Sequence, residues 1–207
     1  YGHDAVIVGG GNNELSGSER SFIGGGENNL IKNSNSATVV AGHRNIIHDN
    51  GRSVIVGGED NQMSGSASAE AYAWNFIGGG KRNRLGVLEG IDEQYSSILG
   101  GNFGLLQASY AVLLGGNNNI NTSYMGLMGA GRANSLNDMD YSFHLGSDMI
   151  LGGYGNNIQQ MSSYYGSHII LGGYENAIDG DIGSLGDNNG IIATGTSNDL
   201  LNAPYGV

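Results

Sequence analysis

The feature that most constrains this chain is a nine-residue pattern that recurs eleven times: apolar, any, small, Gly, any, any, Asn, any, apolar. The first copy runs Ile7-Val8-Gly9-Gly10-Gly11-Asn12-Asn13-Glu14-Leu15, and the later copies begin at Ile23, Val39, Ile55, Ile77, Ile98, Leu113, Met128, Ile150, Ile170 and Ile192. Successive copies are 15 to 22 residues apart. A short recurring unit of this kind marks a stacked repeat architecture, in which one unit cannot bury its own apolar face and neighbours must cover it.

The fourth position is Gly in all eleven copies, and the third is Gly or Ala in all but one, where Thr194 stands. Paired small residues point to a corner where φ is positive or two backbones approach closely. The seventh position is Asn13, Asn29, Asn45, Asn61, Asn83, Asn119, Asn134, Asn156, Asn176 and Asn198, with Gly104 in the remaining copy. That exchange suggests a left-handed backbone at the seventh position, because Asn and Gly both tolerate it. Stacked Asn side chains are also expected to hydrogen-bond from unit to unit as a structural ladder. The ninth position is apolar in all but one copy, where Asn121 stands.

Each copy thus reads as strand, tight corner, short strand, return. The 39 glycines exclude a helical reading, since each costs about 1 kcal/mol in a helix. Collagen would need Gly at every third position with abundant Pro, and there is one Pro. A disordered linker would lack the clustered Ile, Val and Leu. The expected fold is all-β, a parallel β-solenoid (β-roll) of about eleven 15–22-residue coils in one repeat domain spanning residues 1–207. At the ~4.8 Å strand spacing the stack would be a rod on the order of 50 Å long.

The first strand is apolar on both sides of its core position: Val6-Ile7-Val8, Val54-Ile55-Val56, Val112-Leu113-Leu114, Met149-Ile150-Leu151 and Ile169-Ile170-Leu171. Alternating side chains would leave Ile55 inside while Val54 and Val56 point out. A stripe of this kind along a rod would be a large exposed patch on a monomer. Like chains are therefore the expected partners, intertwined or packed as a homo-oligomer.

At these residues the sequence resembles the head repeats of trimeric autotransporter adhesins, which follow a Ser-Val-Ala-Ile-Gly pattern. Ser53-Val54-Ile55-Val56-Gly57, Ser21-Phe22-Ile23-Gly24 and Ala111-Val112-Leu113-Leu114-Gly115 carry the likeness. The Gly-Gly-x-x-Asn corner is also similar to repeats of phage and viral tail fibres. The resemblance runs from about Ala5 to Leu200 and implies a homotrimer in an extracellular, cell-surface or virion fibre of which this chain is a segment. The uneven period and the doubled Gly depart from the adhesin pattern.

The extra residues of the longer units fall at 64–75, 86–95, 137–147, 159–167 and 179–189. They hold Tyr72, Trp74, Tyr95, Tyr141, Phe143, Tyr164 and Tyr165 among many carboxylates. Aromatics on protruding loops suit contact with a cell-surface glycan or protein receptor, or else cap the solenoid edge. The Asn121-Thr122-Ser123 sequon is a possible glycosylation site, on the expectation that Asn121 is exposed where the apolar ninth position is lost.

No chemistry of catalysis emerges. No Gly-Lys-Ser/Thr follows the Gly-rich corners. Leu151-Gly152-Gly153-Tyr154-Gly155-Asn156 is like a calcium β-roll repeat, but Asn stands where a carboxylate belongs. His43 and His48 lack metal-site partners, and no nucleophile elbow with a plausible His and Asp is present. No cofactor and no metal are expected. A net charge of −11 disfavours nucleic acid and anionic membranes, no apolar run is long enough for membrane insertion, and the absence of Cys rules out disulfides. The chain opens at Tyr1 and enters the repeat at once, so it is expected to be a processed product or a piece of something longer. The expected role is adhesion or receptor binding through edge loops. A purely structural self-assembling filament is the alternative, and a polysaccharide-degrading tail spike, using acids such as Asp92 and Glu93, is a distant third.

Overall fold

The structure, a computed structural model, describes residues 3–65, 72–86, 93–138, 147–160, 166–180, 188–193, 195–201 and 205–206. Those residues are all-β and form a parallel β-solenoid. A first sheet of 12 strands begins with Val6–Ile7 and Phe22–Ile23 and ends with Tyr205–Gly206. A second sheet of 11 strands begins with Glu14–Ser16 and Leu30–Lys32 and ends with Asp199–Leu201. Each coil contributes one strand to each sheet, and every pairing is parallel to the coil before and after. A small separate pair joins Tyr72–Ala73 to Glu93–Gln94.

The register puts like residues on like. In the first sheet Ile7, Ile23, Val39, Ile55, Ile77, Ile98, Leu113, Met128, Ile150, Ile170 and Ile192 stack in one inward column. The ninth-position residues form the opposing column, from Leu15 and Ile31 through Leu85 and Leu106 to Ile178 and Leu200. Between the end coils these columns are buried and make one continuous thin core. Burying each Ile or Leu contributes about 1.5–3 kcal/mol, but only while both neighbouring coils are in place.

The corner between the sheets is held by the Asn column. Asn29 Nδ2 donates to Gly25 O (3.1 Å) in its own coil and to Gly42 O (3.0 Å) in the next, while its Oδ1 accepts from Asn45 N (3.0 Å). Asn45, Asn61, Asn83 and Asn119 repeat the arrangement, and Asn29, Asn45 and Asn61 are fully buried. The fourth-position Gly is required because this corner leaves no room for a Cβ. At Gly58, with φ +92°, a Cβ would lie 2.2 Å from Gly80 O.

The left-handed residue is the sixth of the pattern, not the seventh. Asn28, Arg44, Asp60, Arg82, Phe103 and Ala133 have φ between 54° and 57°. That conformation reverses the direction of donation. Glu27 N donates forward to Gly42 O (2.9 Å), whereas Asn28 N donates back to Gly11 O (2.8 Å). Gly104 is absent from the positive-φ residues, so its substitution for Asn has a different cause. It keeps the backbone rung, N to Asn83 Oδ1 at 2.9 Å, and a Cβ there would meet Leu113 Cδ2 at 2.7 Å.

Asn61→Ala should cost about 2–4 kcal/mol, because it strips Asn83 N of its acceptor and removes both amide donations from a dry corner. Gln62→Ala, at the neighbouring outward position, should stay within about 0.5 kcal/mol. Urea midpoints of the two variants check this contrast.

Candidate functional site

The two sheets turn very different outer faces to their surroundings. On the first, each inward core residue is flanked by two outward positions. The preceding one holds Val6, Phe22, Val54, Phe76, Val112, Leu127, Met149, Ile169 and Ile191, and the following one holds Val8, Val40, Val56, Leu99, Leu114, Leu151 and Leu171. The remaining positions are Thr, Ser, Gly or Ala, so none of the 22 carries a charge. Val8 is 67% exposed and Leu99 52%, with Val40, Val56, Leu114, Leu151 and Leu171 also exposed. In two coils a large outward residue is matched by Gly. Gly24 follows Phe22 and Gly78 follows Phe76, and a Cβ at either would come within about 3.3 Å of that ring. The result is an uncharged, largely apolar face roughly 50 Å long, set by eleven strand spacings. The second sheet's outer face instead mixes Glu14, Lys32, Gln62, Arg84, Asn157 and Gln159 with scattered apolar residues.

An aromatic column borders the apolar face. The third residue before each core strand position is Arg52, Trp74, Tyr95 and Tyr110 in successive coils. The Arg52 guanidinium lies 5.4 Å over the Trp74 ring. Tyr95 and Tyr110 stack at 5.1 Å with 21° between planes, and Tyr124 meets Tyr110 edge-on at 5.6 Å. Trp74, 54% exposed, and Tyr95 therefore come together on one edge as neighbouring members of a row. Tyr72 contributes backbone to the small strand pair. Tyr141, Phe143, Tyr164 and Tyr165 lie outside the described residues. Tyr110 and Tyr124 were missed by sequence reasoning because their coils carry no insertion. Counting back three residues from each core position would have found Tyr110.

The corner carries a second, charged row. Arg44 pairs with Asp60 (2.7 Å) and Glu59 (3.2 Å), Lys81 with Glu59 (2.9 Å), and Arg82 sits 3.7 Å from Asp60 and 5.2 Å over the Phe103 ring. The hydrogen bond from Lys81 holds the Glu59 carboxyl below its ordinary range. Further along, Tyr154 and Tyr174 stack at 5.2 Å, with Arg132 over Tyr154. Exposed pairs of this kind contribute little to stability and chiefly set the surface chemistry.

A buried polar column, two residues before each core strand position, was also missed. Ala37 N donates to Ser21 Oγ (3.1 Å), Asn75 N to Ser53 Oγ (3.2 Å) and Ser96 N to Asn75 Oδ1 (3.1 Å). At Asp148 the column becomes charged. Ser123 Oγ donates to Asp148 Oδ2 (3.1 Å), while His168 N (3.1 Å) and His168 Nδ1 (3.0 Å) meet Oδ1, and both Asp148 and His168 are 97% buried. Ser and His converge on the carboxylate rather than on each other, so the trio lacks the Ser–His contact of a nucleophilic relay. The sequence signal is the small or polar residue at 21, 53, 75, 96 and 148, all at one phase of the repeat.

Asn121 corrects the glycosylation expectation. It is fully buried, pointing into the core column, where its Nδ2 donates to Gly126 O (3.0 Å) and its Oδ1 accepts from Ser123 N (3.1 Å). A glycan cannot be carried there in the folded chain. Asn fits because Gly126 leaves the space: a Cβ on it would be 2.7 Å from Asn121 Oδ1.

The ten Asn of the seventh position occupy the structural corner described above; Asn13 is half-buried and Asn198 exposed, and the rest are buried. His48 pairs with Asp49 (3.1 Å) near the surface, and among the described residues no group of three or more His, Asp and Glu is placed to hold a metal. No protein-family model matches the chain, and comparison with curated proteins gives no match.

Asp148→Ala should destabilise by roughly 3 kcal/mol, because three buried donors lose their acceptor at once. Asp148→Asn, which keeps one carbonyl oxygen, should cost less. Chemical denaturation of the two variants measures the difference.

Proposed function

We propose that this chain is a segment of an extracellular fibre in which three like chains pack through the outer face of the first sheet. The reading is non-catalytic: the fibre attaches to a surface ligand, a glycan or a protein receptor, through its aromatic edge. The observation that carries it is the contrast between the two outer faces. One is apolar and free of charge along the whole stack, and the other mixes charged, polar and apolar residues. A soluble chain with 19 acidic and 8 basic residues has charges to place, and none falls on the first face. Chains that stay single rarely expose a continuous apolar patch of this extent. This face is unguarded, which suits contact with an identical face.

The number three follows the resemblance to trimeric adhesin heads. In such a packing the Trp74–Tyr95–Tyr110 row would flank the contact and remain open at its outer side. Stacked rings there offer flat apolar area beside hydroxyls, the chemistry that sugar rings and receptor loops both accept.

The test is mass in solution. Sedimentation equilibrium should give three times the 21.4 kDa chain mass, and Val56→Glu with Leu114→Glu should give single chains with an unchanged β-sheet circular-dichroism spectrum. A wild-type chain that stays single at high concentration would refute the fibre. On an array of neutral glycans the trimer should bind, Trp74→Ala should abolish that binding, and Tyr154→Ala, in the other stacked row, should not. A trimer that binds neither glycan nor receptor would be a purely structural filament.

A further inference from the structure

A second recognition surface lies on the outer side of the second sheet, away from the face assigned to like chains. There a groove of about 780 Å³ runs across successive coils, between the left-handed corner residues and the outward strand residues. Its wall is Arg44, Asp60, Arg82 and Phe103, and its floor includes Gln62, Arg84, Leu105 and Ile120.

The charge balance inverts here. The lining holds three arginines against one Asp60, a local excess of two positive charges in a chain of net −11. Counting the rim pair Lys81–Glu59 leaves that excess unchanged. Two of the arginines are engaged, Arg44 with Glu59 and Asp60, and Arg82 with Asp60 and the Phe103 ring. Arg84 is exposed and has no acidic partner among the described residues. It sits on the floor, level with Gln62 in the coil before and Leu105 in the coil after. Leu105 and Ile120 make half of the named floor apolar, and Ile120 and the Phe103 ring of the wall are both exposed.

We propose that this groove binds an acidic sugar unit. The carboxylate takes the open guanidinium fork of Arg84, the apolar face of the ring lies on Phe103 and Leu105, and the amides of Gln62 and Asn118 meet the hydroxyls. The ligand must be an anion with an apolar side, which a bare phosphate lacks. An acidic peptide suits the groove less well. Every second-sheet strand in the groove is already paired on both sides, so a peptide backbone finds no edge to join. A sugar brings its own hydroxyls and needs none. The inference gives the proposed surface-binding role a ligand class and rests on that role for its setting, but the groove is complete within one chain.

The experiment uses the full 207-residue chain, with calorimetric titration of oligogalacturonate, its methyl ester and sialyllactose. At least one acidic sugar should bind, the neutral methyl ester should not, and Arg84→Gln should weaken binding roughly ten- to hundredfold. Arg84→Lys should recover part of the loss, and Arg20→Gln, on the return turn, should change nothing. Equal binding of acid and methyl ester overturns the proposal. So does binding indifferent to Arg84, or no binding of either acidic sugar. Arg84-dependent binding of poly-glutamate at equal affinity would reassign the groove to acidic peptides. Chain mass, measured in the same samples, separates the two readings: single chains that still bind acid through Arg84 refute the fibre and keep the groove, and trimers that do not bind do the reverse.

Discussion

The interaction on which this molecule depends is a three-way contact at the corner: an Asn side chain, the Gly carbonyl four residues before it in the same coil, and the Gly carbonyl of the next coil. A neutral amide is the one side chain that can donate twice and accept at the same site. Asn29 donates to two glycine carbonyls and accepts a backbone N–H from the following coil. Ser lacks the second donor, Asp has none when ionised, and Gln would place its amide one methylene too far out. The glycines are the other half of the device. Their absent Cβ atoms let successive corners approach closely enough for one amide to reach both carbonyls. The Asn is buried in most coils, so each bond is expensive to lose, and the residue recurs in ten of the eleven coils.

Once the corner is fixed, the rest of the coil has little freedom. The Asn points inward beside the core columns, and alternation then decides every neighbouring residue's side. The inward positions take Ile, Val, Leu and Met, and the outward ones are released from any duty to the core. What the outward positions carry is therefore information about surroundings rather than about folding. The apolar first face and the mixed second face both sit on stacked parallel strands, so strand geometry does not dictate the difference between them.

Much of this was legible from spacing alone. The strand–corner–strand reading, the parallel stack and the inward Ile55 between outward Val54 and Val56 all follow from one nine-residue pattern. Three things were not. Left-handed φ was expected at the Asn position because Gly104 replaces Asn83's counterpart, yet Gly104 is there to make room for Leu113, and the left-handed residue one place earlier tolerates Arg, Phe and Ala. Backbone conformation is imposed at that site by hydrogen bonds to both neighbouring coils, which override residue preference. Asn121 was expected outside because it is polar. Its burial depends on Gly126 five residues later, a pairing visible only when the turn between them is built. The column of Ser21, Ser53, Asn75, Ser96 and Asp148 looks like ordinary loop composition until the register aligns it.

The uneven period has a physical reason that also places the aromatic row. Coils of 15, 16 and 22 residues share the same strand, corner and strand, and the extra residues all enter in the return between the second sheet and the first. A stack tolerates insertion only where no column passes, because a residue added inside a column would shift every inward side chain outward in that coil. The return carries the buried polar column at its last step, Ser53 to Asn75 to Ser96, so insertions must close before it. Trp74 and Tyr95 stand immediately ahead of that closing step. They are the last residues of long returns, held in line by the bonds that follow, and that is why rings from coils of different length still form one row.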